Sequence, residues 1–243
     1  MALKIESDNS VFVATINRPA RKNAVDQETL TELSQALTQA EAQTARVIVL
    51  TGAENTFCSG ADLSGVRETQ FTDALHKLLI QLASSRCVTI AAIDGHALGA
   101  GAQLAMSCDL RVATARAIVG VPAARLGLVV NHWTVERLTR ECSWPIARAM
   151  LLAAQNYSGE ELAGLGAVHR IGDFDVALAW AHEIAALAPL SIAGHKAALS
   201  ASSREPEVNE LVQQARDHAW ASKDVEEGRA AFSEKRSANF KGE

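Results

Sequence analysis

The chain has 243 residues, 48% of them hydrophobic and 21% charged, which supplies the core of one large domain without disulfide or metal staples. A formal net charge of −5 argues against bulk nucleic-acid binding, although two local basic clusters, Arg18, Arg21 and Lys22, then Lys235, Arg236 and Lys241, could hold an anionic ligand. Four widely spaced cysteines with no CxxC pair and no apolar run near the about 18 residues of a membrane span favour reduced thiols in the cytoplasm.

In chain order, residues 11–16 form a β-branched apolar strand, and residues 27–43 an amphipathic helix with Leu30, Leu33 and Leu37 on one face. A second strand over 47–51 leads to a helix over 72–83, where Leu75, Leu78, Leu79 and Leu82 recur at three and four residues. Strands follow at 88–94 and 110–114. After Leu126 the strand signal vanishes, and 134–152, 158–165, 176–187 and 207–222 read as helices. The layout is an N-terminal α/β core with a helical C-terminal region, without internal repeats or low-complexity tracts.

Two glycine-rich turns follow strands and open helices. Phe57-Cys58-Ser59-Gly60-Ala61-Asp62-Leu63 comes after the strand at 47–51, and Gly95-His96-Ala97-Leu98-Gly99-Ala100-Gly101 after that at 88–94. Small residues let a ligand approach the backbone, and first-turn amides of a helix have no internal acceptor, so each turn can offer N–H donors to a developing negative charge. A dinucleotide fingerprint is disfavoured, because Leu104 stands where its third glycine belongs. The seven histidines are scattered without paired ligand spacing, which points away from a metal site.

At these residues the chain resembles the enoyl-CoA hydratase/isomerase, or crotonase, family. The matching pieces are Asn17-Arg18-Pro19 with Asn23-Ala24, the Phe57 to Leu63 block, Asp94-Gly95 with Ala97 to Gly101, Cys108-Asp109, Gly120 to Pro122 with Leu126-Gly127-Leu128, and Phe232 to Arg236, in the family's order over almost the whole length. The resemblance implies an α/β fold, a spiral of ββα units over residues 1–190 with a helical trimerisation region over 191–243, assembled as a trimer or a dimer of trimers. It also implies acyl-CoA as ligand, with coenzyme A as part of that ligand and no separate cofactor. The two oxyanion-hole amides fall on Ala61 and Ala100. Coenzyme A contacts fall on Arg21, Lys22 and Ala24, on Ser59, Gly60, Asp62 and Leu63, and on Phe232 with Lys235 reaching in from a neighbouring subunit.

The departures from the pattern bear most on function. The two glutamates with which hydratases of the family exchange protons correspond to Gln103 and Ala123, and neither can accept a proton. Asn131 falls where dienoyl-CoA isomerases of the family carry an aspartate, and it too is uncharged. His132 is the candidate for a substitute acid or base, on its ordinary pKa near 6.5 and its place before a helix on the acyl side. Trp133 suits the wall of an acyl tunnel, and Asp62 suits a helix cap better than catalysis. Cys58 lacks the basic neighbours of an activated thiolate. The favoured reading is an acyl-CoA-binding protein of lipid metabolism with little or no hydratase activity, with fatty-acid enzymes as protein partners. The alternatives are a lyase using His132 and a structural subunit without ligand.

Overall fold

The computed structural model describes residues 2–62, 68–201, 214, 218 and 221–243, and for Glu68, Thr69, Arg229, Phe232 and Ser233 the backbone alone. In chain order the first half runs β1 (Leu3–Asp8), β2 (Val11–Ile16), α1 (Gln27–Ala42), β3 (Val47–Gly52), α2 (Glu68–Ser84), β4 (Val88–Ile93), β5 (His96–Leu98), α3 (Ala100–Ser107), β6 (Leu110–Ala113) and β7 (Ile118–Gly120). The second half runs α4 (His132–Cys142), α5 (Trp144–Leu152), β8 (Asn156–Ser158), α6 (Gly159–Gly164), β9 (Arg170–Ile171), α7 (Phe174–Ala185), α8 (Pro189–Ala201) and α9 (Lys223–Glu234). The larger sheet has the order β1-β2-β3-β4-β6-β9, parallel except for the β1–β2 hairpin, and the smaller has the order β5-β7-β8. The chain twice passes from the larger sheet to the smaller and then into a helix, by β4-β5-α3 and by β6-β7-α4. That is the strand-strand-helix winding the resemblance implied.

β2, β3 and β4 are apolar on both faces because both are covered, the usual condition of parallel strands. Phe12, Ile16, Ile48, Leu50 and Ile93 pack on one side in the core that holds Leu30, Leu33 and Leu37 of α1 and Leu75, Leu78, Leu79 and Leu82 of α2. On the other side Val11, Val13, Val47, Val49 and Ile90 meet Ala177, Ala181 and Ile184 of α7. Asp26 starts α1 by accepting the Thr29 N–H at 2.9 Å. Among the described residues no single helix is long and apolar enough to cross a membrane.

The structure corrects several expected boundaries. The helix expected over 134–152 is broken into α4 and α5 at Ser143, whose φ of 75° leaves the helical region, and Pro145 at the start of α5 has no N–H to continue the ladder. β8 and β9 lie beyond Leu126, where no strand was expected; two or three residues are too few for an alternating pattern to register. β1 also escaped, since only Leu3 of its six residues is buried. α8 was not expected. The helix expected over 207–222 falls mostly outside the described residues, as do Leu63 and the Phe232 side chain.

An unexpected charge lies at the centre. Arg111 of β6 is 1% exposed, donating from Nε to Ala167 O at 2.6 Å and from Nη1 to Cys108 O at 2.9 Å, and pairing with Glu141 of α4. Arg137, one turn before Glu141, pairs with it at 3.2 Å and donates from Nε to Met106 O at 2.8 Å. The C-terminal carbonyls of α3 are thereby clamped to α4.

Candidate functional site

The two glycine-rich turns lie backbone against backbone. Cys58 N–H donates to His96 O at 2.8 Å and Leu98 N–H to Cys58 O at 3.0 Å, so the segment after β3 runs alongside β5. Gly101 at the start of α3 permits this approach, because a Cβ there would stand 2.2 Å from Cys58 O. Gly60, at φ +123°, turns the chain at the same place. Immediately beyond, the amides sort into two groups. Gly99 N–H donates to Gly120 O at 2.9 Å and Asp62 N–H to Val25 O at 2.8 Å, whereas those of Ala61 and Ala100 meet no acceptor among the described residues. Ala100 is also the first residue of α3, where the helix gathers partial positive charge. Two unengaged N–H groups on adjoining turns are what an oxygen acquiring negative charge requires.

The basic segment is joined to this centre. Ser59 N–H donates to Lys22 O at 3.1 Å, Ser59 Oγ to Arg21 O at 3.4 Å and Val25 N–H to Gly60 O at 2.9 Å, which brings Arg21, Lys22 and Ala24 beside Ser59, Gly60 and Asp62. The three cations of the cluster divide by role. Arg18 is committed to Asp26 at 2.6 Å and Asp62 at 3.1 Å, while Arg21 and Lys22 are exposed. Asp62 is a partner of Arg18 in this fold, and the segment that it was expected to cap lies outside the described residues. Asn23, fully buried, is a staple: its Oδ1 accepts Arg18 N–H at 2.9 Å and its Nδ2 donates to Ala53 O at 2.8 Å. Burial pushes the Cys58 thiol up to about 12, in keeping with an inert side chain.

The neutral positions lie on α3, on a short turn after β7 and at the start of α4. Gln103 follows Ala100 by three residues on α3, and its Oε1 accepts from Thr134 Oγ1 at 2.9 Å. Asn131 is the N-cap of α4, with Oδ1 accepting Thr134 N–H at 2.9 Å and Nδ2 lying 3.1 Å from His76 Nδ1 on α2. Trp133 stands edge-on to His76, with ring centroids 6.0 Å apart. Ala123 opens a short 3-10 turn, Ala123–Leu126, and packs partly buried against the main core.

His132 lies on the surface of the single chain. Its side chain is 85% exposed and points along α4 to Glu136 at 3.4 Å, because the first residue of the helix faces solvent while Trp133 and Thr134 face inward. The histidine in contact with the expected acyl wall is His76, which sequence reading missed because its partners Asn131 and Trp133 lie more than fifty residues away. Lys235 is exposed just past α9 at φ 54°, in a segment whose Arg236 grips Glu227 at 2.6 Å.

Comparison with known proteins is concordant along the whole chain. The family model described as enoyl-CoA hydratase/isomerase matches residues 6–243. The "Probable enoyl-CoA hydratase echA6" of Mycobacterium tuberculosis is 39% identical over 239 residues, 98% of each chain. The 2,3-dehydroadipyl-CoA hydratase of Escherichia coli is 31% identical over 251 residues, 99% of this chain and 98% of its own. The crystal structure of an enoyl-CoA hydratase/carnithine racemase from Magnetospirillum magneticum is similar with a TM-score of 0.93 at 28% identity, covering 100% of this chain and 96% of its own.

Proposed function

The chain belongs to the enoyl-CoA hydratase/isomerase family, and on that premise we propose that it binds fatty acyl-CoA thioesters in lipid metabolism with little or no hydratase activity. The observation that carries this reading is the pairing of two unengaged amides, Ala61 and Ala100, with neutral side chains at Gln103 and Ala123. The amides receive the thioester oxygen. Arg21 and Lys22, exposed and without ion-pair partners among the described residues, suit the phosphates of coenzyme A, which is part of the ligand and not a resident cofactor. Ala24, Ser59, Gly60 and Asp62 border its pantetheine arm, and Asn131 and Trp133 border the acyl chain. Phe232 and Lys235 close the adenine end from a neighbouring subunit.

Calorimetric titration tests this reading. Acyl-CoA is expected to bind, and Trp133→Ala to weaken acyl-CoA by about tenfold while changing the affinity for free CoA less than about twofold, because the indole meets only the acyl part. Equal losses for the two ligands would remove Trp133 from the acyl site, and absence of acyl-CoA binding by the unmodified chain would overturn the proposal.

The assembly belongs to the same proposal. Val129 is 96% exposed in the single chain, Leu152 75% and Leu126 63%, apolar surface of the kind that subunit contacts remove from water. Light scattering is expected to give three or six times the single-chain mass. A monomer would remove the neighbouring-subunit role of Phe232 and Lys235.

A further inference from the structure

Gln103, Thr134, Asn131 and His76 form a chain of hydrogen bonds. Asn131 caps α4 through Oδ1, which turns its Nδ2 toward His76; an amide nitrogen only donates, so His76 Nδ1 is the acceptor and the proton of the neutral ring sits on Nε2. Thr134, 2% exposed, gives its hydroxyl proton to Gln103 Oε1. The Gln103 carbonyl is thereby turned to Thr134, and its Nε2 donates to no group among the described residues. What Gln103 offers a ligand is a pair of N–H donors.

That donor stands one helical turn from the Ala100 amide on the same helix, and side chains three apart lie about 5–6 Å from each other. A ligand oxygen held by Ala61 and Ala100 would put the atoms two bonds further along the acyl chain within reach of the Gln103 amide. Every group met in that order donates: Ala61 N–H, Ala100 N–H, Gln103 Nε2–H. A methylene there leaves the amide unpaired, and a water nucleophile finds in the amide no base to take its proton. A carbonyl oxygen satisfies it.

We propose that the Thr134-fixed amide of Gln103 is a specificity determinant that selects acyl thioesters carrying an oxygen acceptor on the β-carbon, 3-oxoacyl-CoA above all, over saturated acyl-CoA of equal length. This rests on the acyl-thioester reading of the two turns.

The test is a comparison of dissociation constants for acetoacetyl-CoA against butyryl-CoA, and for 3-oxododecanoyl-CoA against dodecanoyl-CoA. The unmodified chain is expected to favour the 3-oxo ligand of the better-binding pair by about tenfold, the weight of one well-placed hydrogen bond. Gln103→Leu should bring the ratio to about one with the saturated ligand still bound, and Thr134→Val should lower it by freeing the amide to rotate. Gln103→Glu keeps the shape and the Thr134 bond but presents an acceptor, so it should disfavour the 3-oxo ligand; it also serves if Gln103→Leu does not fold. The ratio is a readout that an equal loss of affinity for both ligands would not move. Equal affinities in the unmodified chain, or a ratio unchanged by Gln103→Leu and Gln103→Glu, overturn the proposal while leaving acyl-CoA binding standing. Failure of all four ligands to bind overturns both.

Discussion

Glu141→Ala is expected to lower the free energy of unfolding by about 3–5 kcal/mol, the loss typical when one partner of a buried ion pair is removed and the other remains. Arg111 is 1% exposed and cannot turn to water; its Nε and Nη1 bonds to the Ala167 and Cys108 carbonyls satisfy hydrogens but do not neutralise the charge. Burial also pushes the Arg137 guanidinium below its ordinary value, with Glu141 the main opposing influence. Removing that one carboxylate therefore leaves two guanidinium groups close together without the carboxylate that both contact. Glu141→Gln keeps one acceptor oxygen, enough for one of the two guanidinium groups, and should lose less than the alanine variant. Urea unfolding with a tryptophan signal reads the difference directly. A loss below about 1 kcal/mol for Glu141→Ala would show that the pair is solvated like a surface bridge. Because the same clamp holds α3 against α4, and hence Gln103 against Thr134, the variant should also weaken the discrimination between 3-oxo and saturated ligands.

How far the sequence revealed this arrangement depended on distance along the chain. The Leu30, Leu33 and Leu37 face of α1 and the apolar strand over 47–51 follow from local spacing alone, and the structure agrees with each. The two glycine turns were legible as turns. That they touch was not, since the contact of Gly101 with Cys58 O joins residues whose strands are separated by α2. Arg111 was hidden inside an apolar run read as an ordinary strand. A charged residue amid β-branched neighbours was the available signal, and Glu141 on the inner face of α4 its answer. His132 and His76 mark the same limit from both sides. The first was conspicuous beside Asn131 and Trp133 but faces solvent, while the second, unremarkable on its own helix, is the one whose ring meets both.

Crotonyl-CoA hydration by the unmodified chain is expected to remain near background, well below the about 10 s⁻¹ of a median enzyme. Hydration needs a group to take a proton from water and one to deliver a proton to carbon, and a positioned acid or base contributes typically about 10²–10⁴ to the rate. Gln103 holds its oxygen on Thr134 and offers N–H; Ala123 has no polar atom; His132 is occupied at the surface by Glu136. The amides of Ala61 and Ala100 can polarise the thioester, but polarisation without proton transfer leaves the water unactivated. Restoring carboxylates at both positions in Gln103→Glu/Ala123→Glu should raise kcat/KM for crotonyl-CoA by about 10² or more, and either change alone should do much less, because residues that work as a unit are not additive. Thr134 provides for this outcome: its hydroxyl, which now donates to Gln103 Oε1, would donate equally well to a glutamate oxygen and hold it in place. Loss of absorbance at the enoyl thioester band measures the rate. Turnover above about 10 s⁻¹ in the unmodified chain would show that another group carries the proton.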